Sequence, residues 1–179
     1  HDHDRLRLIT IGSGSSLKGN EIILKTANLL KNKLHVDFEW RVTTNAESMK
    51  FYEDVVNIHH EDVNLNLLGH ISTESIVREL CEADIYIHPA IIDNSPNTLC
   101  EAQLIGIPVI ATNVGGIPQI VENDKTGILY SYNESYALAF AIMNLYNDRE
   151  KMVTLSKNEY DVSHVRHNPQ IIVKDLQNI

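Results

Sequence analysis

Apolar residues along this chain follow two alternating patterns. Short runs, such as 36–42, alternate apolar with polar positions, which is typical of strands. Longer stretches, such as 21–31, repeat apolar residues every three or four positions, which is typical of helices. The predicted strands are 5–12, 36–42, 64–68, 83–88, 107–111 and 128–130. The predicted helices are 21–31, 45–58, 72–80, 96–105, 135–147, 149–159 and 168–179.

This alternation predicts a doubly wound, Rossmann-like α/β fold, in which a parallel sheet carries helices on both faces. Such sheets bind ligands beyond the carboxyl ends of their strands, at the point where the strand order reverses. Four predicted strands end in loops that should open on that edge, at Gly12, Gly69, His88 and Ala111. A ligand site is therefore expected among these loops.

Composition is that of an ordinary globular protein, with 43% hydrophobic and 22% charged residues. The 179 residues suit one domain over 5–179, after a linker or expression remnant at 1–4. A net charge of −9 argues against a nucleic-acid partner, which usually needs a basic surface. No apolar run approaches the roughly 20 residues of a membrane-spanning helix, and no secretion signal opens the chain, so we expect a cytoplasmic protein. Cys81 and Cys100 are predicted to be reduced core thiols.

An acidic pair marks the segment 87–130. Asp93 lies in the loop after a buried strand, and Glu101 lies in the helix that follows. Ser95 is expected to cap that helix and Pro96 to take its first position. Because helical side chains lean towards the N-terminus, Glu101 should aim at the same mouth that Asp93 borders.

This arrangement suits a ligand that is part polyol and part phosphate. Two carboxylates can accept hydrogen bonds from adjacent hydroxyls of a sugar or ribose. Asn97 and Thr98 extend a polar stripe towards the start of the helix, whose free N–H groups favour a phosphate. From spacing alone, an ordinary loop acid and a solvated helix residue explain Asp93 and Glu101 equally well.

The loop between Gly12 and Gly19 is a second phosphate candidate. Its small residues, Ser13 among them, would let backbone amides approach an anion, and Lys18 would add a charge. The loop matches neither the P-loop nor the dinucleotide-binding pattern, and a simple turn explains it as well.

Two further glycine turns follow predicted strands. Gly115-Gly116 offers bare amides before a short helix start, or only a tight turn. Gly69-His70 ends a strand where a base or ribose could lie, although a lone histidine there is more often structural. The run His59-His60-Glu61-Asp62 has metal-ligand chemistry but not the helical H-x-x-x-H spacing, so it is interpreted as a surface loop and no metal site is predicted.

These residues resemble the C-terminal domain of the GT-B-fold glycosyltransferases, specifically the retaining nucleotide-sugar enzymes of family 4, or glycosyl transferases group 1. The likeness is strongest where the acidic pair continues into LCEAQLIGIPVIATNVGGIPQIVENDKTGILY. There the family has a glutamate followed by G-x-P-V-I-A, G-G-x-P-E and G-x-L. The opening ITIGSGSSLKG is also similar to the family's strand, glycine loop and Lys-Gly. The likeness covers nearly the whole chain from Arg5 onwards.

The resemblance implies a role for each candidate residue. Glu101 would bind the ribose hydroxyls of the donor nucleotide and Asp93 the hydroxyls of the transferred sugar, which makes them the candidate catalytic residues. The other candidate donor-binding residues would contact the diphosphate or border the base: Gly12, Ser13, Lys18, Gly69, His70, Ser95, Asn97 and Thr98. No metal or other cofactor is implied, because the nucleotide-diphospho-sugar is itself the substrate.

Three positions depart from the family pattern. The first acid is Asp93 rather than glutamate, which shortens the side chain by a methylene. Ser13 stands where the family has a phosphate-binding arginine, which leaves Lys18 as the main cation for two phosphates. Gln119 replaces the acid that follows Gly-Gly-x-Pro.

By resemblance, the chain is the donor-binding half of a retaining glycosyltransferase that moves a sugar to a saccharide or lipid-linked acceptor. An N-terminal domain, absent here, would hold the acceptor, so this half alone should turn over poorly or not at all. Two alternatives on the same architecture stay open: a non-hydrolysing sugar-nucleotide epimerase, and a non-catalytic module that kept the fold. The family's habits also suggest polysaccharide biosynthesis and peripheral association of the full-length protein with the inner face of a membrane.

Overall fold

The structure, a computed structural model, describes residues 5–12 and 16–177, with the side chains of all of these except residues 16, 175 and 176. The predicted linker at 1–4 and the candidate residue Ser13 lie outside the described residues. The strands are β1 (Leu6–Thr10), β2 (Phe38–Val42), β3 (Leu65–Leu67), β4 (Ile85–His88), β5 (Val109–Thr112) and β6 (Ile128–Tyr130). The helices are α1 (Asn20–Asn32), α2 (Ala46–Val56), α3 (Thr73–Glu82), α4 (Asn97–Ile105), α5 (Ser135–Asn147), α6 (Arg149–Arg166) and α7 (Pro169–Gln177). Short 3-10 turns lie at Ser16–Lys18, His60–Val63 and Ile117–Gln119.

The sheet has the order β3-β2-β1-β4-β5-β6, and every neighbouring pair is parallel. The chain builds β1, β2 and β3 towards one side and then returns to build β4, β5 and β6 towards the other. The order therefore reverses between β1 and β4, whose register pairs Leu8 with Ile85. This confirms the predicted doubly wound fold, and it makes the crevice beyond the carboxyl ends of β1 and β4 the expected ligand position.

The core lies on both faces of the sheet, because the side chains of each strand alternate between two helical layers. Leu8 packs into the cluster that includes residues of α1, α2 and α5, whereas Ile9 packs into the one that includes residues of α3 and α4. A buried polar chain crosses three strands next to the site. Trp40 Nε1 donates to Thr10 Oγ1 at 3.0 Å, and the Thr10 hydroxyl donates to the Ile87 carbonyl at 2.9 Å. These bonds fix β1 against β4 near their carboxyl ends.

The helix predicted at 149–159 is longer in the structure and runs to Arg166. The guanidinium of Arg166 donates to Gln103 Oε1 at 3.1 Å and to the Ile120 carbonyl at 2.9 Å. These partners on neighbouring elements anchor the last turns of α6. The apolar pattern does not reveal them, which is why the prediction ended too early.

The prediction of core cysteines is wrong for Cys81, which lies exposed on α3, while Cys100 on α4 is half-buried. Both thiols are free. Within residues 5–12 and 16–177, none of the helices combines the length and the hydrophobicity that crossing a bilayer requires.

Candidate functional site

The described residues form a cleft of about 270 Å³ at the reversal of strand order. Its lining comes from the loops after β1 and β4 and from the start of α4: Ile11, Gly12, Lys18, Asp93, Ser95, Pro96, Asn97 and Thr98. A second cleft of about 300 Å³, beside Cys81 and Gly106, lies at the opposite edge, before β4 and β5 begin. Because parallel α/β sheets bind ligands at the carboxyl edge, the first cleft is the candidate site.

Asp93 is the most heavily contacted side chain of this cleft. Lys18 Nζ donates to its Oδ2 at 2.8 Å, and the Ser95 amide donates to its Oδ1 at 3.3 Å. His88 Nε2 lies 3.3 Å from the same Oδ2. Burial raises the pKa of the Asp93 carboxyl, but the surrounding groups, above all the hydrogen bond and charge of Lys18, together lower it by more, so that the pKa is lowered overall. Asp93 is therefore a carboxylate at neutral pH, paired with the cation predicted for phosphate.

The turn at Gly115-Gly116 supports the Asp93 loop. The Gly116 amide donates to the Asp93 carbonyl at 3.0 Å, so the expectation of bare amides is wrong for Gly116. A Cβ on Gly115 would lie 2.4 Å from the Asp93 carbonyl oxygen, and one on Gly116 would lie 2.4 Å from that of Asn94. The two backbones touch, and only glycines permit this approach.

The start of α4 faces the cleft with unpaired amides. The helix begins at Asn97 with Pro96 as its cap residue and without a side-chain cap, so the predictions of a Ser95 cap and of Pro96 as the first helical residue are wrong. The amides of Leu99 and Cys100 both donate to the Pro96 carbonyl. Those of Asn97 and Thr98 donate to no partner among the described residues. Two N–H groups at the positive end of a helix are thus open to an anion.

Glu101 lies one turn into α4, exposed, and outside the lining of the cleft. The negative charges of Glu101 and Asp93 nevertheless both act on the Tyr86 hydroxyl. Burial is the main reason why the pKa of Tyr86 is raised well above its ordinary value, and the charges of Glu101 and Asp93 raise it further.

The turn that carries Lys18 is attached to the chain that follows β4. The Ile91 amide donates to the Leu17 carbonyl at 2.8 Å, and a Cβ on Gly19 would lie 2.0 Å from the Pro89 carbonyl oxygen. This attachment explains why Lys18, far from Asp93 in sequence, lies beside it in space. Lys18 is the one cationic side chain among the described residues that line the cleft.

Several predicted site residues lie elsewhere or are already engaged. The Gly12 amide donates to Thr43 Oγ1 at 2.8 Å, so it is not free for a phosphate. Gly69 and His70 follow β3, one of the two edge strands, and neither lines the cleft. Their loop opens on the predicted edge, because the Gly69 amide donates to the Thr44 carbonyl just beyond β2.

Sequence reasoning missed two buried polar residues under the cleft. Tyr86 and His88 lie on one side of β4, and the Tyr86 hydroxyl lies 3.0 Å from His88 Nδ1 and 2.9 Å from Thr98 Oγ1. Burial lowers the pKa of His88 to about 4, so the ring is neutral at physiological pH. The signal was present, because polar residues two positions apart in a buried strand share a face. Among the described residues, no cluster of three or more His, Cys, Asp or Glu side chains could hold a metal.

Known proteins resemble this chain in sequence and in fold. The D-inositol 3-phosphate glycosyltransferase of Paenarthrobacter aurescens is 28% identical over 163 residues, which cover 86% of this chain and 39% of that protein. The Anabaena HepE protein, solved in complex with UDP-glucose, superposes with a TM-score of 0.80 at 20% identity, covering 98% of this chain and 50% of that one. The C-terminal domain of LpcC from Francisella tularensis, a glycosyl transferase group 1 family protein, superposes with a TM-score of 0.74 at 20% identity, covering 90% of this chain and 85% of that one.

The chain spans less than half of the length of the curated relatives it matches, for example 27% of one and 44% of another. The family Glycosyl transferases group 1 matches residues 1–162. This match covers most of the chain and agrees with the doubly wound sheet. The protein belongs to the glycosyl transferases group 1 family.

Proposed function

We propose that the chain is the donor-binding half of a retaining glycosyltransferase, and that it holds a nucleotide-diphospho-sugar in the cleft between β1 and β4. The observation that carries the proposal is the meeting of an anionic, a cationic and a helix-terminal group in one cleft. Asp93, Lys18 and the open amides of Asn97 and Thr98 line the same 270 Å³ space. A donor needs all three, because it joins hydroxyls to a diphosphate.

Each group has a chemical task in this proposal. The diphosphate lies against the Asn97 and Thr98 amides and draws Lys18 Nζ away from Asp93. The Asp93 carboxylate then accepts hydrogen bonds from the hydroxyls of the transferred sugar. Glu101, further along α4, accepts those of the ribose.

The reaction places negative charge on the departing nucleoside diphosphate. Lys18 and the positive end of α4 stabilise that charge, and the proposal requires no metal. The acceptor, a saccharide or lipid-linked saccharide, would bind outside this donor-binding half. We place the reaction in the cytoplasm, with the whole protein at the inner face of a membrane. Family membership favours glycosyl transfer over the epimerase and the non-catalytic module considered above.

Calorimetric titration of the chain tests the proposal. UDP-glucose, UDP-N-acetylglucosamine and GDP-mannose serve as probes, each beside its own nucleoside diphosphate. We expect at least one pair to bind, and Glu101→Gln to weaken the nucleotide and its sugar alike by about tenfold, because both contain the ribose and a hydrogen bond to a charged group contributes about 1.5–3 kcal/mol. Glu134→Gln, which removes an exposed carboxylate before α5, is the matched control and should leave affinity unchanged. Absence of binding by every probe, or binding indifferent to Glu101→Gln, would contradict the proposal.

A further inference from the structure

His88 is a buried polar residue for which the proposed donor contacts give no task. Only 2% of its surface is exposed, and its Nε2 has no hydrogen-bond partner of good geometry among the described residues. The nearby charged atom is Asp93 Oδ2, at 3.3 Å. A buried nitrogen that faces a carboxylate without a well-aligned bond calls for a physical explanation.

The proton on the ring follows from its two neighbours. If Nδ1 carried the proton and donated to Tyr86, a bare Nε2 lone pair would face the negative Oδ2, which is repulsive. If Nε2 carries the proton, its N–H faces Oδ2, and Nδ1 accepts from the Tyr86 hydroxyl at 3.0 Å. The Tyr86 oxygen then accepts from the Thr98 hydroxyl at 2.9 Å. Only this second arrangement turns an N–H, rather than a lone pair, towards the Asp93 carboxylate 3.3 Å away, while the Thr98, Tyr86 and His88 Nδ1 contacts are all hydrogen-bonded.

We propose that His88 is a positioning residue for Asp93, holding Oδ2 through its Nε2–H, and that Tyr86 and Thr98 fix the ring in the tautomer that can do so. The inference rests on the proposed function. In the structure Lys18 also holds Oδ2, at 2.8 Å. When the diphosphate draws Lys18 away, His88 remains beside that oxygen and keeps the Asp93 carboxylate facing the sugar.

The chain of hydrogen bonds also connects the two walls of the cleft. Thr98 lies in the first turn of α4, whereas Tyr86 and His88 belong to β4. The Thr98 hydroxyl is committed to Tyr86, so that only its backbone amide is left for a phosphate. The position of the helix terminus and the direction of the Asp93 carboxylate are therefore set by the same buried ring.

The tautomer can be measured without any ligand. Nitrogen-15 NMR of the imidazoles distinguishes a protonated Nε2 from a protonated Nδ1, and the spectrum of a His88→Gln variant assigns the His88 signals among the nine histidines. We expect the Nε2–H tautomer at pH 7 in the wild-type chain. A Nδ1–H tautomer would overturn the inference.

Binding measurements distinguish a positioning role of His88 from a purely structural one. The readout is the dissociation constant of a nucleoside diphosphate divided by that of its nucleotide sugar, for the pair that the wild type binds best. His88→Phe should lower this ratio about tenfold, because only the sugar depends on Asp93. His88→Gln, whose amide N–H can reach the position of Nε2, should restore most of it. Tyr86→Phe should lower the ratio less.

A variant that weakens nucleotide and nucleotide sugar equally, with the ratio unchanged, would overturn the positioning role while leaving the proposed function intact. A wild type that binds no nucleotide would overturn the proposed function, and the positioning role would fall with it. Thermal unfolding of each variant identifies any that fails to fold. If His88→Phe does not fold, the ratio of dissociation constants for His88→Gln decides. A ratio for His88→Gln as low as that expected for His88→Phe contradicts the inference.

Discussion

Two glycines support the Asp93 loop, and alanine at each should separate two causes of destabilisation. Gly116 has an ordinary φ of −85°, so Gly116→Ala adds crowding alone, with a Cβ 2.4 Å from the Asn94 carbonyl oxygen. Gly115 has a φ of +55°, so Gly115→Ala adds backbone strain to a Cβ 2.4 Å from the Asp93 carbonyl oxygen. Gly69 has a φ of +66° and nothing within 4 Å of its Cβ, so Gly69→Ala adds strain alone and is the matched control.

The structure sets the expected magnitudes. Ordinary contact begins at 3.4 Å, so the backbones must separate by about 1 Å to admit either Cβ. Overpacking of this kind costs about 1–3 kcal/mol, including the loss of the hydrogen bond from the Gly116 amide to the Asp93 carbonyl. An alanine in the left-handed region costs about 1–2 kcal/mol. We expect the free energy of unfolding to fall by about 1–3 kcal/mol for Gly116→Ala, 1–2 kcal/mol for Gly69→Ala and 2–5 kcal/mol for Gly115→Ala.

Equilibrium unfolding in urea, followed by circular dichroism, measures these differences. Gly116→Ala should also weaken binding of the best nucleotide sugar, because separating the two turns displaces Asp93. The reasoning is refuted if Gly116→Ala unfolds at the same urea concentration as the wild type. It is refuted equally if Gly69→Ala costs as much as Gly115→Ala, because then crowding against the Asp93 loop contributes nothing.

Three further substitutions probe other contacts. Lys18→Met should weaken nucleoside diphosphate binding, measured by calorimetry, at least about tenfold. It should change the free energy of unfolding in urea by less than about 1 kcal/mol, because the ion pair of Lys18 with Asp93 is partly exposed. Arg166→Met should lower the free energy of unfolding by about 1–3 kcal/mol, since it removes the partner of the partly buried Gln103 Oε1 and the shorter of two hydrogen bonds to the Ile120 carbonyl. Both carboxyl oxygens of Glu159 are buried without a partner among the described residues, and burial raises the pKa of this carboxyl well above the ordinary value. The stability that comes from its raised pKa is therefore fully present below the unfolded-state pKa. It is lost as pH rises towards the folded-state pKa. Glu159→Met should therefore raise the free energy of unfolding by about 1–3 kcal/mol at pH 8 and by less near pH 4, and a gain independent of pH in urea unfolding would contradict this.

Periodicity was enough to predict the elements and the fold class, because every strand of a doubly wound sheet carries its own apolar signal. It could not order the strands. Gly69-His70 and the loops that line the cleft all follow predicted strands. Only the sheet order shows that Gly69-His70 follows an edge strand, away from the cleft. Strand order depends on contacts between distant segments, which spacing along the chain does not encode.

Local chemistry was harder to predict than the elements. Gly12 and Gly116 appeared to offer free amides, but their N–H groups find partners in Thr43 and Asp93. Such partners come from other loops, and no short motif announces them. His88 and Tyr86 looked like ordinary members of a buried strand, and their importance follows only from the position of Asp93 and Thr98 above them.

A crystal structure of the chain with the nucleotide sugar that it binds best tests the central claim most directly. The account predicts the diphosphate at the Asn97 and Thr98 amides with Lys18 Nζ turned towards it. The ribose should lie at Glu101 and the sugar at Asp93. A nucleotide bound elsewhere, for instance at the opposite edge of the sheet, or one that leaves Lys18 on Asp93 and the start of α4 uncontacted, would contradict it.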